Sequence, residues 1–360
     1  MPSSSKNVKR ISAIILLSII VSGCITIQTT PIQEEPQVEV TPIVIEAENA
    51  SEAQPAPADA KPVEPLAQEE ITIITQATRF GDGEKWSGGV CDIACYFADV
   101  TGDGLVDFIA HDNEGLMVLP SNGTTFGTHT NWTGGPVSCH KNCYFKDVTG
   151  DGKADFVAHD NDGVYVLPST GTSFGPGTNW TGGPVSCDNE CFLEDVNGDQ
   201  KVDFVAADND GVWVLPSTGS NFGAGEKWTG GVCDIACFFA DVTGDGMADF
   251  IAQDYDGIYV LPSTGSDFGA HSNWTGVGSG CDIACFFADA TGDGKADYIA
   301  QDLEGIFVLP STGSSFGQFS NWSGGPATCD YACFLGDVNG DGTSDFIAQD
   351  EDGIWVLPAK

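Results

Sequence analysis

A unit of 46 to 48 residues repeats through most of the chain and limits the folds that the chain can adopt. An Asp-Val-Thr-Gly-Asp-Gly run begins at Asp99 and returns with small changes at Asp147, Asp195, Asp241, Asp289 and Asp337, at spacings of 48, 48, 46, 48 and 48 residues. Such a fixed period is typical of arrays in which each unit buries its apolar face against the next. The sequence therefore predicts a repeat domain over residues 71–360.

Each unit consists of short apolar runs separated by Gly and Asp turns. In the first unit the runs are Asp107–Ala110 and Leu116–Leu119, and a Phe-Gly…Trp segment from Phe126 to Trp132 follows. The runs are rich in β-branched and aromatic residues and lack the apolar period of a helix. Because runs such as Leu116–Leu119 are apolar at successive positions, both faces of each sheet are expected to be buried.

The two ends of the repeat domain are out of phase with each other. The domain opens with only the last segment of a unit, Phe80–Trp86, and it closes at Trp355–Pro358, where that segment is missing. An N-terminal strand that completes the last sheet would leave no unpaired edge, as in closed propellers. We therefore predict an all-β fold, a six-bladed β-propeller of four-stranded antiparallel blades that the N-terminal strand closes.

An acidic loop follows the first predicted strand of each unit. In Asp99–Asp107 oxygen-bearing side chains occupy loop positions 1, 3, 5 and 9, and Gly104 occupies position 6. Ca²⁺ prefers six to eight oxygen ligands around a sharply turning backbone. The alternative is that Asp and Gly only form tight, soluble turns. Since three carboxylates within nine residues repel one another without a counterion, the pattern favours calcium on a β-hairpin.

These loops and the Phe-Gly pairs resemble the FG-GAP/VCBS repeats of integrin-type propellers and calcium-containing fungal lectins. The pairs stand at 80–81, 126–127, 174–175, 222–223, 268–269 and 316–317. The resemblance implies up to six structural calcium ions, bound by hairpin residues at four loop positions. These residues are Asp99, Thr101, Asp103, Asp107; Asp147, Thr149, Asp151, Asp155; Asp195, Asn197, Asp199, Asp203; Asp241, Thr243, Asp245, Asp249; Asp289, Thr291, Asp293, Asp297; and Asp337, Asn339, Asp341, Asp345.

The third loop departs from this pattern at position 6. Gln200 stands where the other five loops carry Gly. If that position requires a positive φ, a residue with a side chain is strained there. We therefore predict that the third site is the weakest of the six or is empty.

Twelve of the thirteen cysteines form a C-x₃-C pair in every unit. The thirteenth, Cys24, lies near the N-terminus. Zinc is the alternative to disulfides, but two thiols without a nearby pair of histidines make a poor tetrahedral site. An even number of repeated cysteines in an exported chain predicts disulfides. The expected pairs are Cys91–Cys95, Cys139–Cys143, Cys187–Cys191, Cys233–Cys237, Cys281–Cys285 and Cys329–Cys333.

The N-terminal residues 1–23 are typical of an export signal. A basic start and an apolar run too short to span a bilayer end at Val21-Ser22-Gly23-Cys24, which resembles the lipobox of prokaryotic lipoproteins. An ordinary signal peptide with an incidental Cys24 is the alternative. Residues 25–70 contain seven prolines, ten acids and no Phe, Trp or Tyr. Such a composition predicts a disordered tether over residues 24–70. A lipid on Cys24 is expected to anchor the exported protein to the membrane, with the repeat domain facing the exterior or periplasm.

The charge and the recurring residues limit the function. A net charge of −39 argues against nucleic acid as a partner. None of the five histidines recurs in phase through all the repeats, so the sequence predicts no enzyme. Residues between paired cysteines vary, as in His140–Asn142, Asp188–Glu190 and Asp330–Ala332, which is typical of recognition loops.

We therefore expect a calcium-stabilised, lectin-like or adhesive module for extracellular glycans. A protein–protein adhesion or assembly module is the alternative, and a polysaccharide-active enzyme is a more distant one. The repeated Trp residues suit sugar stacking, although a Trp on an outer strand also suits packing between blades.

Overall fold

The computed structural model describes residues 79–360 apart from residues 90, 232 and 277–279. The predicted signal segment, the predicted lipidation site Cys24 and the predicted tether therefore lie outside the described residues. Within the described part of the chain, no helix is long and apolar enough to span a membrane.

The chain forms six four-stranded antiparallel sheets, and each sheet is one blade. The first strands are β2 (Ala94–Ala98), β6 (Asn142–Lys146), β10 (Glu190–Glu194), β14 (Ala236–Ala240), β18 (Ala284–Ala288) and β22 (Ala332–Gly336). The second strands are β3 (Asp107–Asp112), β7 (Asp155–Asp160), β11 (Asp203–Asp208), β15 (Asp249–Asp254), β19 (Asp297–Asp302) and β23 (Asp345–Asp350).

The third and fourth strands complete each blade. The third strands are β4 (Gly115–Leu119), β8 (Gly163–Leu167), β12 (Gly211–Leu215), β16 (Gly257–Leu261), β20 (Gly305–Leu309) and β24 (Gly353–Leu357). The fourth strands are β5 (Thr130–Asn131), β9 (Thr178–Asn179), β13 (Glu226–Thr229), β17 (Ser272–Asn273), β21 (Ser320–Asn321) and β1 (Glu84–Ser87).

The blades form a closed ring. The first strands of neighbouring blades contact each other in cyclic order, and β22 of blade 6 contacts β2 of blade 1. The predicted closure is confirmed, because β1 pairs antiparallel with β24 and becomes the fourth strand of blade 6. The sequence prediction of a six-bladed propeller is therefore confirmed.

The hydrophobic core lies between the blades, because each apolar cluster joins the second and third strands of one blade to the next blade. A Trp lies in or directly after the fourth, outermost strand of each blade, and it packs on the Phe of the next blade's Phe-Gly pair. Trp132, for example, packs on Phe174 with ring centroids 5.4 Å apart. The same contact closes the ring between Trp322 and Phe80, at 5.5 Å. Phe80 also donates its backbone N–H to the carbonyl of Trp322.

Phe80 offers a test of the closure. It is buried against Trp322 and Phe346, so Phe80→Ala is expected to lower the free energy of unfolding by about 3–5 kcal/mol. Phe319→Ala is the control, because Phe319 is 66% exposed, and it should change stability by less than about 0.5 kcal/mol. Denaturant unfolding of both variants measures the difference. Equal losses would contradict a ring closed by the N-terminal segment.

Candidate functional site

The acidic loops are hairpins that join the first and second strands, so all six lie at one end of the propeller, the acidic-hairpin end. Asp99, at loop position 1, accepts the N–H groups of Gly102 at 2.6 Å and Gly104 at 2.8 Å. Asp103, at position 5, accepts the N–H of Leu105 at 3.0 Å. These carboxylates hold the hairpin backbone in its turn.

The aspartate at position 9 is fully buried in every hairpin. In the first hairpin Asp107 accepts the N–H groups of Val100 and Thr101, each at 3.1 Å, and that of Ser121 at 2.9 Å. Ser121 follows the third strand, which ends beside Asp107 at the same end of the sheet, so the carboxylate ties the hairpin to the end of the third strand. The sequence analysis missed this serine, although a Leu-Pro-Ser run recurs after the third strand in five of the repeats.

Hydrogen bonds also link each hairpin to its neighbours. The Ser121 hydroxyl donates to the carbonyl of Val338 at 2.6 Å, and the Val106 N–H donates to the carbonyl of Asp337 at 2.9 Å. Both acceptors belong to the hairpin of blade 6, whereas the donors belong to blade 1. Equivalent N–H bonds join the other hairpins, so the six loops form a hydrogen-bonded ring.

Burial controls the protonation of the position-9 carboxylates. The pKa of Asp107 is raised to about 6, chiefly because the carboxylate is removed from water. The negative charges of Asp103 and Asp99 raise the pKa further, whereas the hydrogen bonds from the N–H groups of Ser121 and Thr101 lower it. The same causes raise the pKa of Asp203 and of Asp345 to about 7.

The hairpins carry the donor types that calcium prefers. Carboxylate, hydroxyl and amide oxygens occupy the predicted positions, and a carboxylate has about four acceptor sites, of which Asp107 uses three. Within the described parts of residues 79–360, however, no three acidic, histidine or cysteine side chains converge where a metal ion could be held. The carboxylates face loop amides, and the calcium sites stay a prediction.

Two substitutions distinguish the six hairpins. Gln200 has a φ of +65°, at the position where Gly104 has a φ of +87°, so this loop position does require the left-handed region that disfavours a side chain. At position 7 lysines of three hairpins form ion pairs with the position-5 aspartates, at 2.8–2.9 Å: Lys153–Asp151, Lys201–Asp199 and Lys295–Asp293. The hairpins are therefore not equivalent as cation sites.

The six predicted cysteine pairs are present as disulfides at the opposite end, which we call the disulfide face. Each short disulfide loop is bonded to the turn between the second and third strands of its own blade. In blade 1 the Asp92 N–H donates to Asp112 at 3.0 Å, and the Asn113 side chain donates to Asp92 at 2.9 Å. Loop and turn thus form a fixed unit on every blade.

The repeated tryptophans do not belong to this exposed face. All six are buried between blades, as the packing alternative predicted. They are therefore not available to stack on a sugar, and recognition on the disulfide face depends on other residues.

The two halves of the disulfide face differ in polarity. Blades 2 and 3 carry polar residues at the loop and turn tips: Lys141, Asn161, Asn189 and Asn209. Blades 4 and 5 carry exposed apolar residues at both tips, whereas blades 6 and 1 carry one at the disulfide-loop tip and Glu351 and Asn113 at the turn tip. These apolar residues, which we call the apolar arc, are Ile93, Ile235, Tyr255, Ile283, Leu303 and Tyr331.

Comparison with known proteins supports the fold without assigning a family. No protein-family model and no curated protein matches the chain. The structure is similar to that of an Agrocybe aegerita lectin, which is described as specifically recognising non-reducing terminal N-acetylglucosamine. The TM-score is 0.57 and the sequence identity is 24%, and the match covers 74% of this chain and 80% of that chain.

A second similar structure is the Photorhabdus luminescens Tc holotoxin pore. The TM-score is 0.58 and the identity is 18%, and the match covers 77% of this chain but only 14% of that chain. At these identities the similarity shows the fold, a β-propeller.

The position-9 aspartates predict a pH dependence in EDTA. Their pKa is raised in the folded state, so the folded protein binds more protons than the unfolded chain between pH about 4 and about 7. The free energy of unfolding is therefore expected to fall as the pH rises through this range. High NaCl screens surface charges but not these buried groups. Urea unfolding across this range, in EDTA and high salt, measures the slope, which Asp107→Asn should reduce. A stability that rises over this range would contradict the prediction.

Proposed function

We propose that this protein is an exported binding module that recognises extracellular glycans through its disulfide face. The observation that carries the proposal is the repeated unit of disulfide loop and turn, which fixes variable tips on a rigid frame. Rigid scaffolds commonly carry recognition on such loops. The similar lectin propeller, described as recognising terminal N-acetylglucosamine, supports the same class of ligand.

The polar half of the disulfide face suits hydroxyl-rich ligands best. Exposed Asn161 and Asn209 occupy the turns of blades 2 and 3, and each carries both donors and an acceptor. Nearby, the His140 ring lies 3.0 Å from the Asp160 carboxylate. Several fixed polar groups around one surface allow the hydroxyl pattern of a sugar to be read.

The chain also carries features of an anchored protein. The lipobox-like sequence before Cys24 supports lipid attachment. Phe80 pairs with Ala359, whose N–H donates to the hairpin residue Asp345 at 2.9 Å. Residues 80 and 359 therefore lie at the acidic-hairpin end of the propeller.

A protein–protein adhesion module is the second candidate, and the apolar arc favours it. Contiguous exposed apolar residues on a soluble surface commonly mark contacts with other proteins. Since the arc occupies blades 4, 5, 6 and 1, it does not overlap the polar tips of blades 2 and 3.

We further propose that Ca²⁺ stabilises the hairpins, with the position-1, -3, -5 and -9 residues as ligands. The support is the crowding of three carboxylates in each loop, since a hard divalent cation offsets that repulsion. The lysines at position 7 of the second, third and fifth hairpins compete for the position-5 aspartates. The third hairpin combines this lysine with Gln200, so we expect it to bind calcium most weakly.

The calcium proposal predicts a higher melting temperature in calcium than in EDTA. At ten times the dissociation constant, each occupied site stabilises the fold by roughly 1.4 kcal/mol. Gln200→Gly should enlarge the calcium-dependent rise, and Mg²⁺, which requires near-octahedral geometry, should produce less of it. Identical melting curves in EDTA and in calcium would reject the proposal.

A glycan array, with and without calcium, tests the proposed function. Binding to a defined set of glycans is expected, and Asn161→Tyr should weaken it because Tyr is the blade 4 residue at that turn position. The reciprocal change Tyr255→Asn is the control and should leave the signal intact. An array without signal, together with a purified protein partner that binds, would favour the adhesion module. Turnover on a polysaccharide panel would instead reveal a hydrolase.

A further inference from the structure

A buried side chain between blades 5 and 6 has an unused hydrogen-bond acceptor. Gln301, near the end of the second strand of blade 5, is 1% exposed. Its Nε2 donates to the carbonyl of Ala327 at 2.9 Å, whereas no donor among the described residues reaches its Oε1. Because a buried acceptor without a donor is unfavourable, this atom would be stabilised by any group that supplies an N–H or O–H.

Gln301 lines a cavity of about 330 Å³ on the disulfide face. The walls include Ile283 and Phe286 of blade 5 and Thr328, Tyr331 and the Cys329–Cys333 disulfide of blade 6. None of the described residues that line it is charged. The cavity is therefore largely apolar, and the Gln301 side chain, whose Oε1 is unpaired, forms part of its wall.

The cavity opens within the apolar arc and is surrounded by acids. Ile283, Leu303 and Tyr331 are exposed around it. Asp282, Asp330 and Glu304, each next to one of these residues in the chain, are also exposed. An apolar opening with acidic neighbours is complementary to a cationic segment that carries an apolar anchor.

We propose that this cavity binds the side chain of a tryptophan, presented by a Lys- or Arg-rich segment of a partner protein. The indole ring supplies the apolar body that Phe286, Ile283 and Tyr331 contact. Its Nε1–H is a donor without an acceptor, which matches the unpaired Oε1 of Gln301. The flanking cations lie near Asp282, Asp330 and Glu304. This site stands apart from the proposed glycan recognition and identifies a partner for the apolar arc.

A sugar fits this cavity less well than an indole does. A monosaccharide brings several hydroxyl groups, each of which needs partners once it leaves water, and the side chains of the wall offer only the Gln301 amide and the hydroxyls of Thr328 and Tyr331. Tryptophan brings one polar atom. Aromatic anchors in fully desolvated pockets are also typical of the residues that dominate protein–protein binding.

The test titrates the full-length, oxidised protein with the peptide Lys-Trp-Lys, observed by ligand-detected NMR. The same peptide with 1-methyltryptophan keeps the shape of the ring but lacks the donor, and it should bind about tenfold more weakly. Glu-Trp-Glu should bind more weakly still, and rising NaCl should weaken Lys-Trp-Lys.

Protein variants locate the site. Tyr331→Ala should weaken Lys-Trp-Lys by about tenfold, whereas Tyr255→Ala, which changes an exposed tyrosine outside the cavity, should not. Gln301→Leu removes the acceptor, and it should abolish the preference over the 1-methyl peptide. Thermal melts confirm that the variants fold.

Three outcomes would overturn the inference. They are equal binding of the two tryptophan peptides, equal effects of Tyr331→Ala and Tyr255→Ala, and displacement of Lys-Trp-Lys by N-acetylglucosamine. The last outcome would assign the cavity to glycans. A positive glycan array with no peptide binding would reject this inference and support the proposed function. Peptide binding with a negative glycan array would support this inference and reject the proposed function.

Discussion

The buried aspartate at position 9 of each hairpin is the interaction on which the rest of the propeller depends. Asp107 accepts amides from its own hairpin and from Ser121 after the third strand, so one carboxylate connects the hairpin to the neighbouring end of the third strand. Ser121 then bonds to the preceding blade. A charged group without water is costly unless donors surround it, and this explains why the hairpin sequence barely varies between repeats.

Much of this architecture could be predicted from the sequence because it repeats. The constant spacing and the out-of-phase ends were sufficient to predict the number of blades and the closure by β1. The C-x₃-C pairs were sufficient to predict the disulfides. The role of the acids was not predictable to the same degree. Spacing alone does not distinguish a carboxylate that binds a cation from one that accepts amides, since both need a short acidic turn. The structure places Asp99 against the N–H groups of Gly102 and Gly104.

The face that carries recognition was less accessible to sequence reasoning for a different physical reason. The tips of the disulfide loops lie next to turns about 20 residues further along the chain, as the bond between Asp92 and Asp112 illustrates. Whether an apolar residue such as Tyr331 is exposed depends on those neighbours and on the adjacent blade. The six tryptophans demonstrate the same limit, because burial between blades removes residues that would otherwise suit sugar stacking.

A shared frame makes the differences between blades informative. Because a backbone N–H of every disulfide loop donates to the aspartate that opens its turn, the frame does not depend on the side chain at the tip, and the tips are free to differ. Blades 2 and 3 carry Lys141 and Asn189 where blades 4 and 5 carry Ile235 and Ile283. A single ligand repeated around the ring would require six similar tips. The division into a polar half and an apolar arc is instead what two chemically different partners on one face would require.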